Sequence, residues 1–258
     1  MRRSRRNATG TETLSGMSDY FDAVTYPFRG VAYFFRRPSL WKYAGAAVAI
    51  HLLAFAAIVI LYIHFRAGVV ESITPGRFPP WLRTAAGWLF SILLLVAALF
   101  GALLVGNLLS LPILDALTER ILRDLGESLP PGRGVRHALW RCCVNQTLKI
   151  LIFGAIQAAV LLLYATPLAF LHPPLSTFLG ILFLGFDALD YPLDARRIPV
   201  PARFGWLLRH PGATLGYGSV LFLVLLVPLL GTLLLPLTVA GASLLAHRLD
   251  SPNGRGYC

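Results

Sequence analysis

The chain has 258 residues, of which 56% are hydrophobic and only 14% charged, and its mean hydropathy is +0.67. Those values exclude a disordered chain and disfavour a soluble domain, which runs nearer a quarter charged. The formal charge of +11 would suit nucleic acid if the bases shared one surface, but their placement along the chain points to a membrane instead.

Residues 1–17, with Arg2, Arg3, Arg5 and Arg6, are expected as a disordered basic tail. In residues 18–35, Tyr20, Phe21, Val24, Phe28, Val31 and Phe35 fall near one helical face. That pattern predicts an interfacial amphipathic helix, kinked or restarted by Pro27. Four stretches then lack any Asp, Glu, Lys or Arg: residues 43–65, 84–114, 150–186 and 211–247. These are membrane-length runs. The first, 23 residues or about 34 Å of helix, spans once. The second, 31 residues or about 46 Å, must tilt or project, with Trp81 and Trp88 marking its outer interface. Its apolar stripe continues through Leu114, Leu117, Ile121 and Leu125, opposite Asp115, Glu119, Arg123 and Glu127, so the helix is expected to run on into the cytoplasm.

The third and fourth runs contain 37 residues each, about 55 Å as straight helix, too long for one span and short for two with a turn. Pro167 and His172-Pro-Pro174 interrupt the third; Pro228, Gly231 and Pro236 interrupt the fourth. The half-helices left, 12 to 17 residues long, reach about 18 to 25 Å. Both runs are therefore expected as hairpins that enter from the cytoplasm and turn inside the bilayer, where broken backbone is tolerated if protein or a watery cavity surrounds it. Six complete helices are the alternative, because both arrangements return the chain to the same side. The expected fold class is thus an all-α polytopic integral membrane protein. It has two long spanning helices, two proline-broken, partly penetrating helical hairpins, and interfacial amphipathic helices. Residues 18–248 form one transmembrane domain, followed by a short tail at 249–258.

With this topology 20 of the 23 basic residues lie on one side and only Arg66, Arg77 and Arg83 on the other. The positive-inside rule then puts both termini in the cytoplasm of a multi-pass protein. No cleavable signal peptide is expected, and Cys142, Cys143 and Cys258 read as free thiols in a reducing compartment. The sequence contains no GxxxxGK[ST], HExxH or GxSxG motif and no Cys/His set at metal-ligand spacing. The expectation is a protein that is not an enzyme, with no catalytic residue, cofactor or metal. His51 and His64, in the first span, lie about 20 Å apart along the axis, too far to share an ion.

The segment Gly185-Phe-Asp-Ala-Leu-Asp-Tyr-Pro-Leu-Asp194, centred on Asp190, Tyr191 and Pro192, resembles the aromatic-rich LDYP element of the CysZ-type sulfate permeases and the related etoposide-induced-protein family. Three further stretches are similar in the same order. They are the basic approach Phe35-Arg-Arg-Pro-Ser-Leu-Trp-Lys42, the segment Asn107-Leu-Leu-Ser-Leu-Pro112 followed by Asp115 and Glu119, and the terminal hairpin 228–246 with Thr238-Val-Ala-Gly-Ala242. The resemblance implies a bacterial inner-membrane protein that takes up sulfate for cysteine biosynthesis. The alternative is a non-transporting scaffold or lipid-interacting member of the same family. The permeases' anion-linked Gly-x-Arg element is incomplete, since Val31 and Ala32 follow Gly30.

A sulfate route needs guanidinium forks or backbone N–H groups, because stripping water from a dianion is otherwise prohibitive. Gly30, Arg36 and Arg37 are the candidates at the cytoplasmic mouth. Ser176, Thr177 and Thr232 are candidates at the apices, where helix starts expected at Pro174 and Thr232 would present N–H groups. Asp190 is expected to be architectural, with Arg196 and Arg197 in reach. The partners expected are the lipid bilayer, a small inorganic anion such as sulfate and further copies of the chain, since two spans alone enclose little; nucleic acid is not among them.

Overall fold

The computed structural model describes the backbone of residues 8–73, 79–130 and 135–250, and all regular structure among the described residues is helical. Helix α1, Ala8–Phe35, starts ahead of the expected Ser18, so residues 8–17 of the expected tail are helical. It passes through Pro27 without restarting, at the loss of one backbone hydrogen bond. Residues 1–7 and 251–258, most of the two expected tails, lie outside the described residues.

A short 3-10 turn, Pro38–Leu40, leads into α2, Trp41–Ile73. Helix α3, Pro80–Asp124, is 45 residues long, about 68 Å, and continues through Pro112 as its apolar stripe predicts. Helix α4, Val135–Leu161, breaks into two 3-10 turns, Leu162–Ala165 and Ala169–Leu171, before α5, His172–Ala195. Pro173 and Pro174 occupy the first turn of α5, where a missing N–H costs nothing. They therefore start that helix rather than interrupt it, and α5 reaches 24 residues, about 36 Å. Helices α6, Val200–Arg209, and α7, Pro211–Leu225, precede α8, Pro228–Asp250.

By length and composition four helical segments can cross a membrane: Pro38–Ser72, Pro80–Asp124, Val144–Ala165 and Ala169–Ala195. Only 11% of the most apolar window of each is buried, so the rest of that surface needs lipid or another apolar phase. Both expected hairpins are broken at their proline-bearing apices. In the first, α4 and α5 are long enough to cross, which the sequence-based reach of 12 to 17 residues did not anticipate. In the second, the 15 residues of α7 span about 22 Å and fall short of the core. Because Pro228 takes the first position of α8 and the helix runs on through Pro236, Thr232 lies one turn inside α8 and not at its start. That corrects the expected helix start; the Thr232 side chain lies outside the described residues.

Two compact units emerge, Met1–Ala44 with Pro112–Cys258, and Gly45–Leu111. In the first, α1 lies along α7 and α8, while α5 packs on both of these and on α4. Ala23, Tyr26, Leu189, Leu193, Tyr217 and Leu245 bury one shared core. Phe34, Leu40, Leu117 and Val239 anchor a second around the last turns of α3. Gly30 allows the closest approach of α1 to α8: a Cβ there would lie 2.6 Å from Gly241 Cα and 2.7 Å from Leu237 O. In the second unit α2 and α3 run antiparallel. Gly101 faces Ile58, Gly87 faces Val70, and the Tyr62 hydroxyl donates to Ser91 O at 3.2 Å.

Candidate functional site

Asp187, Asp190 and Asp194 follow one another at i, i+3 and i+7 on α5, which puts all three on one helical face. Two cations from neighbouring helices meet that face. Lys149 of α4 places Nζ 2.7 Å from Asp187 and 3.0 Å from Asp190. Arg203 of α6, 1% exposed, places Nη1 2.7 Å from Asp190, bonds Asp194 through Nη2, and donates from Nε to Ile198 O at 2.7 Å. Asn145 Nδ2 donates to Asp194 at 3.1 Å. Burial opposes the charge on Arg203, but Asp190 and Asp194 outweigh it and raise its proton affinity above that of an ordinary arginine.

The sequence expectation that Asp190 reaches Arg196 or Arg197 is corrected here, and the end of α5 supplies the reason. Arg197 adopts φ 60°, Arg197 N–H donates to Asp194 O at 2.8 Å, and Ile198 N–H donates to Leu193 O at 3.1 Å. This is a Schellman cap with arginine where glycine is usual. It turns the chain so that α6 folds back and delivers Arg203 to Asp190, while Arg196 leaves the helix on another side. The same cap ends α3, with Gly126 at φ 86° and Glu127 N–H donating to Leu122 O at 3.0 Å. The two caps bring Glu127 and Arg196 together through paired bonds of 2.9 and 2.7 Å.

His247 Nδ1 lies 2.6 Å from Glu127, and Arg196 also bonds Asp250 at 2.6 Å. Trp206 Nε1 donates to Asp250 at 3.0 Å. Burial alone would raise the Glu127 carboxyl, but hydrogen bonds from Arg196 and His247 override it and hold the group below the usual glutamate range. A third tie joins Arg248 to Asp22 at 2.5 Å. These bonds form a charged layer that joins the C-terminal ends of α3, α5 and α8 to the middle of α1.

The residues singled out from sequence fall in different places. Asp190, Tyr191 and Pro192 lie in this layer; Tyr191 packs against the core around Leu117, and Pro192 is buried in the last turn of α5. Asp115 lies within electrostatic range of Asp190, Asp194 and Lys149, whereas Glu119 pairs locally with Arg123 at 2.7 Å. Pro112 sits inside α3. Asn107 stands apart in the second unit, its amide 3.0 Å from His51 Nε2 while His51 Nδ1 lies 2.8 Å from Ala47 O. Gly30 is buried in a helix crossing.

Arg37 pairs with Asp124 at 2.9 Å and stacks 4.3 Å from the Tyr33 ring, while Arg36 is exposed. Ser176 accepts from Gln157 at 2.6 Å and lies 3.2 Å from His172 Nε2, next to exposed Thr177. Among the described residues, Arg36, Arg37, Ser176 and Thr177 thus have separate surroundings, and Gly30 lies in a helix crossing. Sequence reasoning missed Lys149, Arg203 and Glu127 as members of the charged layer. One signal was present: Arg203, Trp206 and Leu207, all buried, share a helical face at i, i+3 and i+4.

Carboxylates, guanidiniums and an ammonium that pair with one another in this layer tie the apolar helices together. Fold and charged layer thus define a polytopic α-helical membrane protein. The model of the family described as sulfate transporter CysZ/etoposide-induced protein 2.4 matches residues 26–236, and the chain belongs to that family. It is similar to the sulfate transporter CysZ of Pseudomonas aeruginosa strain LESB58, at 27% identity over 216 residues covering 81% of this chain and 87% of that one. The sulfate transporter CysZ of Pseudomonas syringae pv. tomato is 24% identical over 215 residues, 80% and 85% of the two chains. That of Pectobacterium atrosepticum is 27% identical over 177 residues, 65% and 64%.

Proposed function

We propose that the chain takes up sulfate across the bacterial inner membrane as a passive or gradient-driven conduit, with residues 18–248 forming one transmembrane domain. Similarity over about four fifths of the chain to proteins named sulfate transporter carries this reading. The charge count along the sequence supports cytoplasmic termini, and the four candidate spans, each with only 11% of its most apolar window buried, leave apolar surface on which further copies of the chain could pack as a homo-oligomer. A conduit also accords with the absence of a nucleotide motif and of a nucleophile–base motif from the sequence.

Of the basic pair near the first span, Arg36 is the better anion contact, because the Arg37 guanidinium already serves Asp124 and Tyr33. Thr177, exposed at the start of α5, is the better apical one. Gly30 contributes through helix packing. The test is uptake of labelled sulfate into proteoliposomes, which should exceed that into empty liposomes. Arg36→Gln should lower apparent affinity by about 10- to 150-fold, the loss of one bond to a charged group. Arg2→Gln/Arg3→Gln should change it little. Uptake equal to empty liposomes across pH values and imposed gradients refutes the conduit and leaves the non-transporting, lipid-interacting alternative.

A further inference from the structure

Within the second unit, α2 and α3 flank an open cleft of about 460 Å³ whose polar lining is Arg66, Glu71, Arg83, Thr84 and Ser91, with Trp88 beside them. Arg66 and Val70 of α2, and Arg83, Gly87 and Ser91 of α3, repeat at four-residue spacing, so each set follows one helical face. The two faces touch in the cleft: a Cβ on Gly87 would lie 3.6 Å from Val70 Cγ1, and Tyr62 bonds Ser91 O. These pairs fix the antiparallel register. It puts the levels of Arg66 and Arg83 about 10 Å apart along the helix axes, with Glu71 between them.

The depth of the cleft indicates its occupant. Arg66 is the first charged residue after the charge-free run 43–65, which alone accounts for the thickness of a hydrocarbon core. Trp81 and Trp88, 71% and 68% exposed, mark the same level as an interface, where tryptophan rings favour the headgroup zone. Lipid phosphates stand there. A compact dianion is best held by converging guanidiniums with no carboxylate among them. Here Glu71 sits between the two arginines and repels such an ion. A zwitterion that carries a phosphodiester and, a few ångströms away, a primary ammonium matches all three charges. Trp88 adds a ring face for the cation.

We propose that this cleft binds the headgroup of one phosphatidylethanolamine molecule, with the phosphodiester on Arg66 and Arg83 and the ammonium on Glu71. Sulfate shares the oxyanion chemistry of the phosphodiester, so the test includes both. The site is independent of whether the chain transports sulfate, and binding is read without flux.

Purified full-length protein in maltoside micelles is titrated with dihexanoyl-phosphatidylethanolamine, dihexanoyl-phosphatidylglycerol or sodium sulfate at matched ionic strength, and occupancy is read by native mass spectrometry. The ethanolamine lipid should bind at least tenfold tighter than the glycerol lipid. Arg66→Gln and Arg83→Gln should each weaken both lipids tenfold or more. Glu71→Gln should weaken only the ethanolamine lipid and bring it to the level of the other. Where a glutamine variant fails to fold, the corresponding Arg→Lys variant keeps the charge and should lose several-fold in affinity with the loss of the guanidinium fork. Ethanolamine-lipid binding that is indifferent to the arginines, or a lipid preference unmoved by Glu71→Gln, overturns the proposal. Sulfate that displaces the lipid, and whose binding is lost in the same arginine variants, makes this a solute site and overturns it as well.

Discussion

Removing Arg203 should damage the protein more than removing Asp190, although the two bond each other. Asp187, Asp190 and Asp194 bring three negative charges to the α5 face, and among the described residues Lys149 and Arg203 answer them. Arg203→Met takes one buried guanidinium from Asp190 and Asp194 together and strands the Ile198 carbonyl. Breaking a buried pair in this way costs about 3–5 kcal/mol. Asp190→Asn instead removes one carboxylate while Lys149 keeps Asp187 and Arg203 keeps Asp194, and it should cost about 1–2 kcal/mol in charge-assisted bonds.

On the scale of water-soluble domains of this length, the first loss corresponds to roughly 6–20 °C in the unfolding midpoint. The double variant Asp190→Asn/Arg203→Met removes one charge of each sign and should be more stable than Arg203→Met alone. Tryptophan fluorescence melts in detergent, with Trp206 on the same helix as reporter, give the three midpoints. Equal damage from the two single variants, or strict additivity in the double one, would show that the Asp190–Arg203 pair does not govern this layer.

Acid should weaken the tie between α3, α5 and α8. Glu127 is held below its ordinary value of 4.5 in the fold, so its contribution is fully present above that value and is lost as pH falls below it towards the folded-state pKa. Glu127→Gln should therefore flatten the dependence of the melting midpoint on pH below about 4.5 and leave a smaller constant loss above it; an unchanged acid slope counts against the assignment. Gly30→Ala should abolish most folded yield, because its Cβ would meet the backbone of Gly241 and Leu237, which cannot move aside. Gly45→Ala, where a Cβ meets open space, should leave size-exclusion profiles unchanged. Wild-type yield for Gly30→Ala would return that glycine to the list of anion contacts.

The membrane-crossing elements were legible because absence of charge is a linear property: residues 43–65 and 84–114 announce α2 and α3 directly. Proline was harder to interpret. At Pro173, Pro174 and Pro228 it begins a helix, where its N–H is not needed, whereas Pro27, Pro112 and Pro236 lie inside helices that continue. The residue type alone does not tell these cases apart; neighbours that hold the helix together do. The acidic face of α5 was visible, but its partners were not. Arg203 looks like one more cytoplasmic base until the left-handed turn at Arg197 is known, and arginine is an unusual residue to specify such a turn. The Glu127–Arg196 pair likewise joins two helix caps 69 positions apart, a separation that no local pattern encodes.

That separation in sequence also sets an order of events during synthesis. Lys149 emerges first, and Asp187, Asp190 and Asp194 follow on α5, so for an interval the growing chain holds these three carboxylates without the Arg203 guanidinium that bonds two of them. Arg203 emerges nine residues after Asp194, about 0.5–2 s later at ordinary elongation rates. Only then can the last pair close, and His247 and Arg248 must still arrive before Glu127 and Asp22 find their partners. A nascent chain stalled between positions 194 and 203 lacks the guanidinium that both Asp190 and Asp194 bond. Within a single stretch of ten codons, the polypeptide passes from an electrostatically incomplete intermediate to one able to lock α5 in place.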